Sequence, residues 1–199
     1  PDGQKSSQVD FSNGEKDGKA TTWNKIGKVI SESIYEKGAL LNEIRYSYHK
    51  DGSLKQETNY IAEILNGSAL GWWENGQLSV EKNYKDDKLE GAFKSWYIDG
   101  QIEQEGNYKE DKENLTWTYW YPDGQKSSQV DFSNGEKDGE WTYWYPDGQK
   151  SSQVTFIDGI KDGEWTIWNE MGQRTSKSIY ENGILLREIR YSFHGNNQL

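Results

Sequence analysis

The stretch WTYWYPDGQKSSQV at Trp117–Val130 recurs letter for letter at Trp141–Val154, 24 residues further along the 199-residue chain. Repetition at a fixed period of this size indicates a repeat protein, in which each unit is one supersecondary element that cannot bury its apolar face alone. The stretch itself has the pattern of an aromatic strand, a Pro-Asp-Gly turn and a second strand. We therefore expect the chain to be a series of such elements.

A glycine series gives the frame of the repeat, because its members follow one another at 24 residues with a single step of 25. Asp-Gly and Asn-Gly pairs tolerate the positive φ angles of tight hairpin turns. The turn glycines are Gly3, Gly27, Gly52, Gly76, Gly100, Gly124, Gly148 and Gly172. A further glycine is predicted to close several units in a looser turn, at Gly18, Gly67, Gly91, Gly139 and Gly163. The sequence thus predicts eight β-hairpin units, the first incomplete.

Two aromatic columns keep the same period and are assigned to the structural core. The first stands four positions before the turn glycine, at Trp23, Trp72, Trp96, Trp120, Trp144 and Trp168, with Tyr48 in the same column. The second follows the glycine by eight positions, at Phe11, Tyr35, Tyr60, Tyr84, Tyr108, Phe132, Phe156 and Tyr180. Rings of this size bury large apolar areas when they pack.

The predicted fold is all-β: an elongated, solenoid-like sheet of eight hairpin repeats that forms one domain over residues 1–199. No stretch of ten or more residues has apolar side chains at helical spacing. Only 32% of the residues are hydrophobic, mean hydropathy is -1.08 and net charge is -10, values that approach those of disordered chains. The ten Trp, thirteen Tyr and five Phe reverse that expectation, because they supply a core built from neighbouring repeats.

Enzyme chemistry finds little support in the sequence. The chain has no cysteine, and its two histidines, His49 and His194, stand 145 residues apart at matching places of a longer repeat. No nucleophile elbow, phosphate-binding loop or zinc-protease motif is present. The repeated Asp-Gly turns lack the spaced oxygen ligands of a calcium loop. We predict a protein that is not an enzyme and has no cofactor or metal site.

Alternation along the strands suggests a second aromatic surface. Neighbouring strand residues point to opposite faces, so Trp144 and Tyr143 lie on different sides of the sheet. The second side forms a candidate partner face of Trp117, Tyr119, Tyr121, Trp141, Tyr143, Tyr145 and Trp165. The alternative is that these rings pack inward as a second core layer.

The pattern GEWTYWYPDGQ, followed by an aromatic residue and then NGEKDG, resembles the bacterial MORN repeat variant family over essentially the whole chain. Relatives of this type are commonly described as YwqK-family antitoxins, so the resemblance implies a binding role. It transfers no catalytic residue, because the family pattern consists of turn glycines and core aromatics. Tyr48, Asn42 and Leu115 depart from that pattern.

Charge narrows the class of partner. A chain with net charge -10 is repelled by nucleic-acid phosphates and by anionic lipid surfaces. A basic protein partner fits better, since complementary charge speeds encounter. We therefore predict a protein-interaction scaffold, with an antitoxin-like or immunity-like protein that masks a basic partner as one case. The alternative is a bacterial cell-surface protein that binds glycan or cell-wall polymer through Trp and Tyr.

The compartment stays open between the cytoplasm and the cell surface. No apolar run approaches the length of a transmembrane helix. The chain starts at Pro1-Asp2-Gly3, in the middle of a repeat. We therefore expect it to be a fragment or processed form, from which any leader would have been lost.

Overall fold

The computed structural model describes residues 5–193, and all regular secondary structure in this range is β-strand. The predicted all-β fold is confirmed, while the turn expected at Gly3 lies outside the described residues. The strands are β1 (Ser7–Ser12), β2 (Glu15–Trp23), β3 (Val29–Glu36), β4 (Ala39–Tyr48), β5 (Leu54–Ile61), β6 (Ile64–Trp72), β7 (Leu78–Lys85), β8 (Lys88–Trp96), β9 (Ile102–Lys109), β10 (Lys112–Trp120), β11 (Lys126–Ser133), β12 (Glu136–Trp144), β13 (Lys150–Ile157), β14 (Ile160–Trp168), β15 (Arg174–Glu181) and β16 (Ile184–Arg190).

The strands fall into two compact units, one ending at Gly100 and the other starting at Gln101. In the first unit, each strand from β1 to β8 pairs antiparallel with the next strand in the chain. Strands β9 to β16 of the second unit follow the same rule. The predicted sheet of hairpin repeats is confirmed, and the single domain over residues 1–199 stays a prediction.

The tight turns lie at the opposite end of the hairpins from the one predicted. Asn134 and Gly135 both have positive φ, 51° and 85°, as a two-residue hairpin turn requires. The Pro-Asp-Gly connection is longer: the Tyr121 amide donates to the Gln125 carbonyl at 2.8 Å, and the Gly124 amide donates to the Tyr121 carbonyl at 2.9 Å. The connection at Gly124 is thus the looser of the two.

The glycine predicted to close each unit lies inside a strand. Val130 pairs with Trp141 and Phe132 pairs with Lys137, so three residues of β12 oppose one of β11 in a β-bulge. Gly139 lies in this bulge with φ +106°, and a Cβ there would come within 3.0 Å of the Asp131 Cβ. Positive φ recurs at the matching Gly18, Gly67, Gly91 and Gly163.

The two aromatic columns lie on opposite faces of the sheet. Val130 pairs with Trp141, and Phe132 stands two residues further along β11, on the same face of the sheet. The ring centroids of Phe132 and Trp141 lie 5.8 Å apart. Trp144 follows Tyr143 in β12 and therefore points to the other side. The two columns therefore pack on different sides of the sheet.

Burial also departs from the predicted core. Phe156 is buried, but Phe11 of β1 is 64% exposed, so its assignment to the core is wrong. The half-buried members of the two columns are Trp23, Trp72, Trp96, Trp120, Trp144, Trp168, Tyr35, Tyr60, Tyr84, Tyr108, Phe132 and Tyr180. The buried apolar residues are Ala20 and Ala69 in the first unit, and Trp117, Val130, Val154 and Phe156 in the second.

Each tight turn also bonds to the preceding hairpin. In the second unit, the amides of Gly135, Gly159 and Gly183 donate to the carbonyls of Glu113, Lys137 and Lys161, each at 2.8 Å. These bonds hold successive hairpins at a fixed offset. Within residues 5–193 there is no helix of the length and apolarity that crossing a membrane requires.

Candidate interaction face

The strand register collects large rings on one face of the second unit, here called the aromatic face. Trp117, Val130, Trp141, Val154 and Trp165 lie opposite one another on successive strands β10 to β14. A parallel row two residues further along consists of Tyr119, Ser128, Tyr143, Ser152 and Ile167. Each ring therefore has a smaller side chain as its cross-strand neighbour, which leaves room for the ring to lie down on the sheet.

Trp117 is the exception to the predicted exposure, because it is only 1% exposed. Its indole covers Gly106, where a Cβ would overlap the ring. Tyr108 packs against it edge-on with centroids 4.9 Å apart, and the indole N–H donates to the Asn107 carbonyl at 3.2 Å. The prediction that Trp117 forms part of an open partner face is therefore wrong.

Tyr121 and Tyr145 join successive repeats through their hydroxyl groups. The Tyr121 hydroxyl donates to the Trp144 carbonyl at 2.9 Å, and the Tyr145 hydroxyl donates to the Trp168 carbonyl at 2.9 Å. Both tyrosines are half-buried. We therefore correct their placement: they lie in the longer connections that link hairpins, outside the rows of the aromatic face.

The accessible part of the aromatic face consists of four rings. Tyr143 is 37% exposed, whereas Tyr119, Trp141 and Trp165 are half-buried. Trp141 touches both Tyr143 and Phe156, with centroids 6.1 Å and 5.2 Å away. The face thus combines the two alternatives considered from the sequence, with part of it packed and part of it accessible.

Two lysines lie over the rings of this face. Lys137 Nζ is 3.8 Å from the centroid of a Trp141 ring, and Lys161 Nζ is 3.6 Å from that of Trp165. A cation over an indole is attracted by the electron-rich ring. Sequence reasoning missed these lysines. Each comes directly before the Asp-Gly pair of the bulge, in GEKDG and GIKDG, and this recurrence could have identified them.

The electrostatics of the face vary along it. Burial lowers the pKa of Lys161, and the charge of Lys137 shifts it in the same direction. At the other end, burial raises the pKa of Tyr119 to about 12, helped by the negative charge of Glu113. Burial likewise raises the pKa of Glu113. The two lysines thus lie over the rings of β12 and β14, and the Glu113 carboxylate lies at the β10 end of the face.

Comparison with known families decides what kind of repeat this is. The family described as MORN repeat variant matches residues 44–62, 65–86, 89–110, 113–134 and 137–158, more than half of the chain. The chain belongs to the MORN repeat variant family. The last two matched MORN repeat variant segments contain Tyr119, Lys137, Trp141 and Tyr143 of the aromatic face.

Other comparisons add no functional assignment. A porin-like protein from Bacteroides uniformis is 10% identical, with 87% of this chain and 89% of that chain covered and a TM-score of 0.21. A protein with unknown function from Bacteroides fragilis is 11% identical, with 93% and 90% covered and a TM-score of 0.14. Such scores support no conclusion about this chain. None of the curated proteins matches it.

Proposed function

We propose that this repeat scaffold is non-catalytic and holds a protein partner on the aromatic face of its second unit. The observation that carries the proposal is the exposed ring of Tyr143 beside the half-buried rings of Trp141 and Trp165. Binding energy at protein interfaces concentrates on Trp and Tyr side chains of this kind. A rigid sheet presents them without a large ordering cost.

The proposed partner is basic, and antitoxin-like masking of such a partner is one case of this function. Net charge is -10, and exposed carboxylates occupy the tight turns beside the aromatic face, as at Glu110, Asp111, Glu136 and Asp158. Lys137 and Lys161 already lie over the rings of the face. Basic groups of a partner would therefore meet the turns, while its apolar groups would meet the rings.

The proposal is tested by capture followed by reconstitution. A partner captured from cells of the source organism is identified, purified and titrated against the wild-type chain and against Tyr119→Ser combined with Tyr143→Ser. We expect the double variant to bind at least about tenfold more weakly, because hot-spot tyrosines are lost. Ile98→Ser, which removes an apolar side chain 61% exposed in the first unit, is the matched control and should bind normally.

Thermal unfolding of each variant separates binding from folding. A double variant that unfolds would assign the two tyrosines to the core and contradict the proposal. Unchanged affinity, or a captured partner that is acidic, would contradict it as well.

A second candidate function is binding of a glycan or cell-wall polymer, favoured by the regular spacing of the rings. Trp141 and Trp165 are two strands apart, or about 10 Å. This distance is close to the repeat of an extended disaccharide, and each tryptophan carries a lysine above it. Quenching of tryptophan fluorescence by soluble cell-wall glycan, without any protein partner, would favour this candidate.

A further inference from the structure

The first unit lacks the paired rings of the aromatic face at the matching positions. Ala69 and Gly71 of β6 stand 48 residues, or two repeats, before Trp117 and Tyr119. Gly71 is opposite Val80 of β7, and a Cβ at Gly71 would lie 2.8 Å from Val80 Cγ1. The β6 backbone at Gly71 is therefore left uncovered by a side chain of its own and forms the floor of a depression in the sheet surface.

An open cleft of 340 Å³ lies over this floor. Its apolar wall consists of Trp72, Trp73 and Val80. The Trp73 indole N–H donates to the Trp96 carbonyl at 3.1 Å, and His49 Nε2 donates to the Trp72 carbonyl at 2.8 Å. These two bonds hold the wall in place before any ligand arrives.

Two lysines line the cleft, although the protein as a whole is acidic. Lys55, Lys82 and His49 line it, and no carboxylate is among its lining residues, although Asp and Glu outnumber Lys and Arg by 33 to 23 in the chain. Glu74 lies 3.9 Å from His49 Nδ1 but is outside the lining. A neighbouring cleft of 240 Å³ shares Gln56 and Ala69 with it and is lined by Arg45, which is ion-paired with Glu43 at 2.6 Å.

We propose that the cleft over Gly71 binds a small molecule that combines one flat apolar ring with one acidic group. Its volume is at the lower end of the range for ligand pockets, which suits a single-ring compound. The ring would pack against Trp73 and Val80, and the acidic group would accept hydrogen bonds from Lys55 and Lys82. This site is separate from the aromatic face and independent of the function proposed for it.

Phenylacetate is a suitable probe, with 2-phenylethanol as its uncharged counterpart. Both are titrated into the full chain labelled with nitrogen-15 while the indole N–H signals are followed. We expect saturable shifts of the Trp73 signal with phenylacetate, several-fold weaker binding of 2-phenylethanol, and weakening of phenylacetate binding by salt. Equal affinity for the two compounds, or the absence of saturation, would overturn the proposal.

Charge variants locate the site. Lys82→Gln should weaken phenylacetate binding several-fold, and Lys55→Gln, at an exposed position, provides a second variant should the first disturb folding. Lys85→Gln removes the same charge from the same strand, β7, at a residue that does not line the cleft. Equal weakening by Lys85→Gln and the two cleft variants would show that only net charge matters, and the proposal would fail.

Discussion

Single residues that break the repeat pattern decide where this protein is strained and where it is packed. Leu115 has a φ of +62° and stands at the place where the neighbouring repeats have Gly91 and Gly139. Its side chain is 61% exposed, so little apolar contact offsets the strain. A left-handed backbone costs an L-residue with a Cβ roughly 1–2 kcal/mol.

Leu115→Gly should therefore stabilise the protein by about 1 kcal/mol, because glycine adopts this φ without a steric penalty. Chemical denaturation of the full chain measures the change. Leu115→Ala is the control, since it removes the side chain but keeps the Cβ, and it should not stabilise. A gain of equal size with alanine would show that the effect comes from the exposed side chain.

Gly106→Val should destabilise the protein by about 1–3 kcal/mol, because the new side chain overlaps the Trp117 indole. Tryptophan emission should move to the red as the ring is displaced toward water. Ser178→Val is the control: it places valine opposite Trp165, as Val154 already is, and should be close to neutral. An unshifted spectrum for Gly106→Val would contradict the account of Trp117 burial.

The position of Trp117 shows what the sequence could and could not predict for single residues. Alternation correctly placed Trp117, Trp141 and Tyr143 on one face of the sheet. It could not predict that Trp117 is covered, because that depends on the residue opposite it, Gly106, on a strand paired through a bulge. The sequence of β10 alone does not show that the neighbouring strand β9 has a glycine beside Trp117.

At the level of the hairpin, the period was readable from the sequence but the role of each glycine was not. Gly124 and Gly139 both recur every 24 residues, yet one lies in a connection and the other in a strand bulge. Both require positive φ, so composition does not separate them. Asn134-Gly135 marked the tight turn, as Asn-Gly pairs commonly do.

Tyr145→Phe should cost about 1 kcal/mol, because the Trp168 carbonyl loses the hydroxyl that donates to it at 2.9 Å. Amide exchange should quicken in β14 and β15, the two strands that flank the next long connection. Tyr143→Phe is the matched control, since among the described residues the Tyr143 hydroxyl has no such bond. Equal losses in the two variants would show that Tyr145 does not tie the hairpins together.

Strand β10 should also lose stability in alkali. Burial raises the pKa of Tyr119 from 10.0 to about 12, so the folded state holds the phenol proton more tightly than the unfolded state does. Its contribution is complete below pH 10 and is lost as the pH rises through 12. Denaturation at several pH values should show this decline, and Tyr119→Phe should reduce it; an equal decline in the variant would contradict the assignment.

On the scale of a whole unit, contacts run from each hairpin to the next. In the second unit every extensive contact joins strands adjacent in the chain. Such proteins gain stability from each repeat and from each interface between neighbours. Damage to one repeat should therefore fade with distance along the unit.

Trp117→Ala tests this spread within the second unit. Removing the buried indole should cost about 3–5 kcal/mol. Hydrogen exchange should show the greatest loss of protection in β9 to β12 and the least in β15 and β16. Uniform loss across the whole unit would mean that it unfolds as a single cooperative block.

The bonds from each tight turn to the preceding hairpin also bear on how such a chain changes during evolution. Because the Gly159 and Gly183 amides bond to the Lys137 and Lys161 carbonyls of the preceding hairpin, removing or adding one whole period leaves every remaining junction with its usual partner. The identical segments at Trp117–Val130 and Trp141–Val154 are the kind of sequence at which a gene slips or recombines. Variation in the number of hairpins is therefore a structurally tolerated route by which members of a lineage can come to differ in length.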